Sequence, residues 1–116
     1  MSFANRASSK VFRDKLEIPV IQGGMGVGIS MGKLAGSVAA CGGMGVISTA
    51  LIGFREEDFY QNHVEADVRA LRKEIQIAKE IANGRGMIAI NAMTVTTDYR
   101  ECIEAAVREG IDAIIS

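Results

Sequence analysis

Short apolar runs alternate with longer segments of helical periodicity along this chain. The short runs predict four β-strands, at residues 18–21, 44–48, 87–90 and 111–116. The longer segments predict three helices between them, at residues 30–41, 64–82 and 98–109. Strands that are joined by helical crossovers lie parallel, so this alternating order predicts an α/β fold with a parallel sheet.

Capping residues and apolar spacing define the predicted helices. Ser30 is the predicted N-cap of the first helix, and Asp98 with Glu101 has the spacing of a capping box on the third. Charged residues that include Asp67 and Glu74 predict a solvated face on the second helix. The apolar face of the first helix carries Met31, Leu34, Ala35 and Val38. The apolar stripe of the second carries Val64, Val68, Leu71, Ile75, Ala78 and Ala82.

Composition limits the classes of protein to which the chain can belong. Its 116 residues predict one domain, and a hydrophobic content of 48% excludes a disordered chain. A net charge of −1 without a basic face argues against nucleic-acid binding.

No apolar run reaches the length of a membrane span, and residues 1–17 predict a loosely docked leader without the apolar centre of a secretory signal. Cys41 and Cys102 are predicted to be buried free thiols, and these features together predict a cytoplasmic protein.

Two architectures fit the predicted order of elements over residues 18–116. One is an open doubly wound sheet and the other is part of a (β/α)8 (TIM) barrel, and apolar periodicity does not choose between them. A complete barrel needs about 250 residues, so four parallel strands and about three helices amount to half of one. An open sheet normally covers its last strand with a helix, whereas this sequence ends on a strand, which favours the N-terminal half of a barrel.

A glycine-rich segment, residues 22–28, directly follows the first predicted strand. Because glycine lacks a Cβ, its backbone N–H groups can approach a flat or anionic ligand closely. The N-terminus of the following helix adds partial positive charge, which favours a cofactor that carries phosphate. The alternative is a tight turn that needs glycine only for its backbone angles.

Small or hydrogen-bonding residues follow each predicted strand. They are residues 22–26, Ser48, Thr49, Asn91 and Ser116. Ligands bind at the carboxyl ends of parallel strands in barrels and in open sheets alike. We therefore expect these residues to form one polar edge around a ligand site in either architecture.

Three motifs carry a family resemblance. They are Gln22-Gly23-Gly24-Met25-Gly26, Leu34-Ala35-Gly36-Ser37-Val38 and Gly42-Gly43-Met44-Gly45-Val46-Ile47-Ser48. With them, residues 18–116 resemble the N-terminal part of FMN-dependent nitronate monooxygenases, also called 2-nitropropane dioxygenases. The resemblance implies a partial TIM-barrel flavoprotein that, when complete, oxidises alkyl nitronates with O2. The flavin-dependent enoyl-ACP reductases, which use NAD(P)H on an enoyl thioester, are similar and are the alternative.

The resemblance also implies roles for individual residues. The backbone of Gly23, Gly24, Met25 and Gly26 is expected to lie against the isoalloxazine ring of FMN. Asn91 is expected to contact the flavin, with Ser48 and Thr49 on the same wall. For Asn91, the alternative is a turn residue that satisfies local backbone groups.

The catalytic residues cannot be assigned within this sequence. The resemblance implies a catalytic histidine beyond Ser116, and His63, the only histidine here, is predicted to be an exposed residue near a helix start. No metal site is predicted, because one histidine and two distant cysteines cannot supply a tetrahedral set. The glycine segment also lacks the third glycine of a dinucleotide fingerprint, so an NAD site on a Rossmann fold is not favoured.

The apolar sheet edges of a half-barrel favour self-association. We therefore expect a homo-oligomer. A non-catalytic half-barrel module that docks to a partner or to a second copy is the remaining alternative.

Overall fold

The computed structural model describes residues 10, 12 and 14–116 of the chain, and within residues 32–115 three helices alternate with three strands. The helices are α1 (Gly32–Ala40), α2 (His63–Ala82) and α3 (Tyr99–Arg108). The strands are β1 (Met44–Ser48), β2 (Met87–Asn91) and β3 (Ala113–Ile115). The predicted α/β class is therefore confirmed for the part of the chain that the structure describes.

The strands form one parallel sheet in the order β1-β2-β3. Met44 pairs with Met87 and Ser48 with Asn91, so β1 and β2 end at the same level. β3 pairs with β2 over three residues, from Ala113 opposite Ala89. Spatial order thus follows chain order, as the helical crossovers predict.

The prediction of a strand at residues 18–21 is wrong, since only a single bridge from Ile21 to Met44 joins this segment to β1. Beyond the bridge, the side-chain Oε1 of Gln22 accepts the N–H of Val46 at 2.9 Å. A side chain therefore replaces the backbone partner that would have continued the ladder.

The two faces of the sheet are covered differently. Ile47, Ile88 and Ile90 pack with buried residues of all three helices in the main core cluster. The opposite face carries a smaller cluster of Met44, Val46, Met87 and Ala89, against which Phe12, Leu16 and Ala113 pack. All three helices therefore cover one face, while the N-terminal segment contributes to the other.

The described part of the predicted leader docks on the sheet and is not loose. Ion pairs join Lys15 to Asp112 at 2.5 Å and Glu17 to Arg85 at 2.7 Å. These exposed pairs add to the packing of Phe12 and Leu16 on the sheet. The rest of the predicted leader, residues 1–9, 11 and 13, lies outside the described residues.

Helix α1 buries a face of small residues. Its buried positions are Gly32, Ala35, Gly36 and Ala39. Only Ala35 of the predicted apolar face is fully buried, while Met31, Leu34 and Val38 are half-buried. A Cβ at Gly36 would lie 2.8 Å from the carbonyl oxygen of Ala78, so small residues let α1 approach α2 closely. Close packing of α1 against α2 therefore buries the small residues of α1 more fully than its bulkier apolar side chains.

Helix α2 confirms most of its predicted stripe and corrects one position. Leu71, Ile75, Ala78 and Ala82 are buried as predicted, but so is Asp67, which was expected on the solvated face. α2 is the longest described helix, at 20 residues. Among the described residues, no helix is both long and apolar enough to cross a bilayer.

Candidate functional site

Ser48 and Asn91 lie side by side at the carboxyl ends of β1 and β2. Because side chains alternate along a strand, both share a face with Val46 and Ala89, opposite the helices. Thr49, which was predicted to lie on the same wall, is hydrogen-bonded to Asn91. Its N–H and its hydroxyl both donate to the carbonyl oxygen of Asn91, at 3.0 and 3.2 Å, so Thr49 joins the two strand ends.

The glycine loop, residues 23–29, packs directly on these strand ends. A Cβ at Gly24 would lie 2.9 Å from the Cβ of Asn91. A Cβ at Gly26 would lie 3.2 Å from the Oγ of Ser48. At Gly23, by contrast, an added Cβ would meet nothing within 4 Å. We name Gly24, Gly26, Ser48 and Asn91 the rim, and its packing requires glycine at Gly24 and Gly26.

Ser30 holds the glycine loop from the inside. Its fully buried hydroxyl accepts the N–H of Met25 at 2.9 Å and the side-chain Nε2 of Gln22 at 2.8 Å. Its carbonyl accepts the N–H of Ser48 at 3.0 Å, which ties the loop to β1. The predicted role of Ser30 as a helix cap is therefore wrong, because its hydroxyl is used by the loop.

Helix α1 begins at Gly32, and a side chain from α2 caps it. The Oε2 of Glu74 accepts the N–H of Gly32 at 2.7 Å. This carboxylate takes the position that an anion binds at a helix N-terminus. Glu74 therefore occupies one N–H group at the start of α1 and brings negative charge there, which disfavours a cofactor phosphate at this helix end.

Several polar groups of the rim have no partner among the described residues. No acceptor is paired with the N–H of Gly24 or of Gly26. The backbone carbonyl of Asn91 accepts hydrogen bonds from Thr49, whereas its carboxamide has no hydrogen-bond partner among the described residues. Met25 and Met93 beside them are about half exposed, at 46% and 51%. The rim is thus exposed and carries hydrogen-bonding groups that no described residue uses.

A second polar group lies around the start of α2 and α3. Ligating atoms of His63, Asp67 and Asp98 lie within 4.8 Å of one another, and we name these residues the acidic cluster. Asp67 is fully buried and Asp98 is 4% exposed. The Oδ1 of Asp67 accepts the N–H of Gly53 at 2.6 Å, whereas its Oδ2 accepts no hydrogen bond from the described residues.

Burial perturbs the titration of this cluster. Burial, and then the neighbouring Asp98, raise the pKa of Asp67 to about 6. Burial also acts to raise the pKa of Asp98, but hydrogen bonds from Asp67 and from the Cys102 thiol outweigh it and lower that pKa. Burial and the charge of Asp98 raise the pKa of Cys102. The two carboxyl groups thus hold a proton most readily on Asp67.

Sequence reasoning missed the acidic cluster. The side chain of Asp98 makes no capping hydrogen bond, so the predicted capping box is absent, and Asp98 contacts Cys102 instead. His63 is the first residue of α2, near the helix start as predicted, with a side chain 37% exposed. Asp67 follows His63 by four residues and precedes Leu71 by four, so the helical period places it beside the apolar stripe. That spacing was the signal that could have revealed it.

The cysteines and grooves lie away from the rim. Both cysteines are free, with Cys102 buried as predicted and Cys41 exposed, which is contrary to the prediction. Cys41 lines an apolar groove of about 410 Å³ with Ile18 and Val20. A larger groove of about 650 Å³ runs between α2 and α3.

Comparisons of the chain with protein-family models, with curated proteins and with solved structures found no match. A function for the chain is therefore inferred from its sequence resemblance together with the residues and geometry of the rim.

Proposed function

We propose that this chain is the N-terminal part of an FMN-dependent oxidoreductase of the nitronate monooxygenase type. The complete enzyme would oxidise a small alkyl nitronate with O2. The observation that carries this proposal is the packing of Gly24 and Gly26 onto Asn91 and Ser48. This packing leaves two backbone N–H groups and one carboxamide free at adjoining strand ends.

The proposed architecture is the N-terminal half of a TIM barrel. A doubly wound sheet carries helices on both faces. Here α1, α2 and α3 share one core cluster with Ile47, Ile88 and Ile90 on a single face. The bridge from Ile21 places residues 18–21 next to β1, so strand order would follow chain order from the first segment to β3. Both features favour a barrel, in which helices form an outer ring.

Each rim residue has a proposed task in holding FMN. The N–H groups of Gly24 and Gly26 donate to the polar edge of the ring, and the absence of a Cβ lets the flat ring approach. The Asn91 carboxamide adds a further hydrogen bond, while Thr49 fixes Asn91 through its carbonyl. FMN, when bound, supplies the redox chemistry, and the protein orients it and excludes competing reactions.

Part of the site is proposed to lie outside this sequence. In flavin-binding barrels the phosphate sits near the last two strands, and the carboxylate of Glu74 already caps α1. The catalytic base is likewise proposed to lie beyond Ser116. The 116-residue chain is therefore expected to be inactive alone and to bind FMN weakly.

A titration of FMN into the purified chain tests this proposal. We expect a saturable shift of the visible flavin spectrum, weakened in Asn91→Ala. Asn62→Ala is the matched control, since Asn62 is an exposed residue away from the rim. A spectrum that does not change with added protein would overturn the assignment of a flavin site to this rim.

The same rim geometry fits an FMN-dependent enoyl-ACP reductase. The two activities differ in the electron donor and in the substrate. Rapid reduction of the flavin by NAD(P)H in a complete protein that contains this chain would favour the reductase. Slow reduction, together with O2 consumption on an alkyl nitronate, would favour the monooxygenase.

Exposed apolar residues at the sheet edges favour a second candidate, a non-catalytic half-barrel module that associates with itself. The exposed residues are Ile18, Val20 and Ile21 on one edge and Ile114 and Ile115 on the other. Such edges favour pairing between copies. Light scattering on a size-exclusion column measures the mass, and a monomer would contradict the proposed homo-oligomer.

A further inference from the structure

The acidic cluster is not used by the proposed flavin site. Its side chains come from two helices, with His63 and Asp67 in α2 and Asp98 directly before α3. One ligating atom from each lies within 4.8 Å of the other two. Tertiary packing thus brings an imidazole and two carboxyl groups together from positions 35 residues apart.

The Oδ2 of Asp67 is the buried atom of this cluster that lacks a hydrogen-bond donor in the described part of the chain. The side chain of Asp67 is 1% exposed, and no hydrogen-bond donor among the described residues satisfies its Oδ2. A buried carboxylate oxygen without a partner is costly, so a positively charged group is expected there. The Nδ1 atom of His63 lies 3.3 Å from this oxygen and is an uncharged ligand atom when the imidazole is neutral. The side chain of His63 is 37% exposed, which leaves a path from solvent.

We propose that the acidic cluster binds one divalent transition-metal ion through His63 Nδ1, Asp67 Oδ2 and a carboxylate oxygen of Asp98. Imidazole nitrogen with carboxylate oxygen suits ions such as Zn²⁺. Metal–ligand bonds of about 2.0–2.2 Å place tetrahedral ligands about 3.4 Å apart. The 3.3 Å between Nδ1 and Oδ2 matches that edge. Three protein ligands leave the fourth position open to water.

Neighbouring groups orient the three ligands. The N–H of Gly53 donates to the other oxygen of Asp67, at 2.6 Å. The thiol of Cys102 donates to Asp98 at 3.4 Å. The ring of Phe59 packs edge-on against His63, with 5.0 Å between ring centroids. Such second contacts hold metal ligands in place. The site departs from the sequence prediction of no metal site, which considered histidine and cysteine but not the carboxylates.

Metal binding to the untagged full chain tests this proposal without FMN. The metal-free chain is titrated with Zn²⁺ by calorimetry, and Co²⁺ is used as a visible probe. We expect one Zn²⁺ per chain and visible Co²⁺ bands. Asp67→Asn and His63→Gln should each weaken Zn²⁺ binding at least about tenfold. Glu65→Gln, an exposed acid on the same helix, and Cys41→Ser, an exposed thiol, should bind as the wild type does.

Two results would overturn the proposal. One is a folded wild-type chain that binds no stoichiometric Zn²⁺. The other is unchanged affinity in His63→Gln, which would place the ion elsewhere. In either case the two carboxyl groups are held together by a shared proton instead. Circular dichroism checks the fold of each variant. If Asp67→Asn does not fold, the Zn²⁺ affinity of His63→Gln decides between the outcomes, because the side chain of His63 is partly exposed and its replacement should not unfold the chain.

Discussion

The rim and the acidic cluster differ in the kind of hydrogen-bonding partner that each of them lacks. On the rim, backbone donors of Gly24 and Gly26 have no acceptor among the described residues, and the surface is open. In the acidic cluster, an acceptor, Asp67 Oδ2, has no donor and is buried. The rim therefore suits a ligand rich in acceptor atoms, such as a flavin edge. The acidic cluster suits a cation or a proton.

The two regions also depend on different structural features. The rim depends on a loop that has room only for glycine at two positions and that one buried serine holds in place. The acidic cluster depends on the packing of α2 against α3 and on the turn at Gly53. Substitutions in the loop should therefore alter the rim while leaving the cluster unchanged.

The largest expected effect is from Gly24→Ala. The new Cβ would lie 2.9 Å from the Cβ of Asn91 and 3.0 Å from Val46 Cγ1, so the loop must move. We expect a loss of about 2 kcal/mol in the free energy of unfolding, with loss of FMN binding. Urea denaturation and an FMN titration measure the two effects. Gly23→Ala is the matched control, since its Cβ meets open space. Equal losses in both variants would contradict the packing of the loop on Asn91.

The next largest effect is expected from Ser30→Ala. This change leaves the N–H of Met25 and the side chain of Gln22 without their buried acceptor. We expect the free energy of unfolding to fall by about 1.5 kcal/mol. Ser37→Ala is the control, because the Ser37 hydroxyl is exposed and donates only within α1. A Ser30 variant as stable as the Ser37 variant would show that the serine does not hold the loop.

Asn91→Ala should weaken FMN binding with little effect on the stability of the chain. Because the carboxamide has no partner among the described residues, the free energy of unfolding should change by less than about 0.5 kcal/mol. Loss of one hydrogen bond should weaken FMN binding by about fivefold. Denaturation and fluorescence titration measure these quantities on the same sample. A large loss of stability would instead favour the alternative interpretation, in which Asn91 is a turn residue that supports the fold.

The smallest expected effect concerns the docked N-terminal segment and depends on pH. A hydrogen bond from Arg85, together with its charge, lowers the pKa of Glu17 below 4.5. A lowered pKa in the folded state contributes stability above the unfolded pKa, and that stability is lost as the pH falls. Glu17→Gln should therefore be slightly less stable than the wild type at neutral pH, and the difference should shrink as the pH falls through the lowered pKa of Glu17. A difference that does not change with pH would exclude this ion pair as its source.

Local patterns in the sequence predicted the elements whose signals lie within a few residues. The runs at Met44–Ser48 and Met87–Asn91 form strands, and the stripe through Leu71 and Ile75 is buried. The glycine loop was likewise predicted at the strand ends, where it packs on Asn91.

Contacts between distant residues account for the predictions that were wrong. The side chain of Gln22 replaced a strand ladder by binding Val46, 24 residues away. Glu74 capped α1 from a separation of 42 residues, which left Ser30 to hold the loop. Asp67 became buried because α2 packs beneath the turn at Gly53. No local pattern encodes such side-chain contacts, so capping and ligand roles were the least predictable features.

The most direct test of the proposed flavin site asks which residues of this chain respond to added FMN. Backbone amide NMR spectra of the labelled chain are recorded as FMN is added. The account predicts that the amide signals of Gly24 and Gly26 and the side-chain amide of Asn91 shift first and saturate together, while Gly53 and Asp67 stay in place. Shifts confined to the groove between α2 and α3, or no shifts at all, would contradict it.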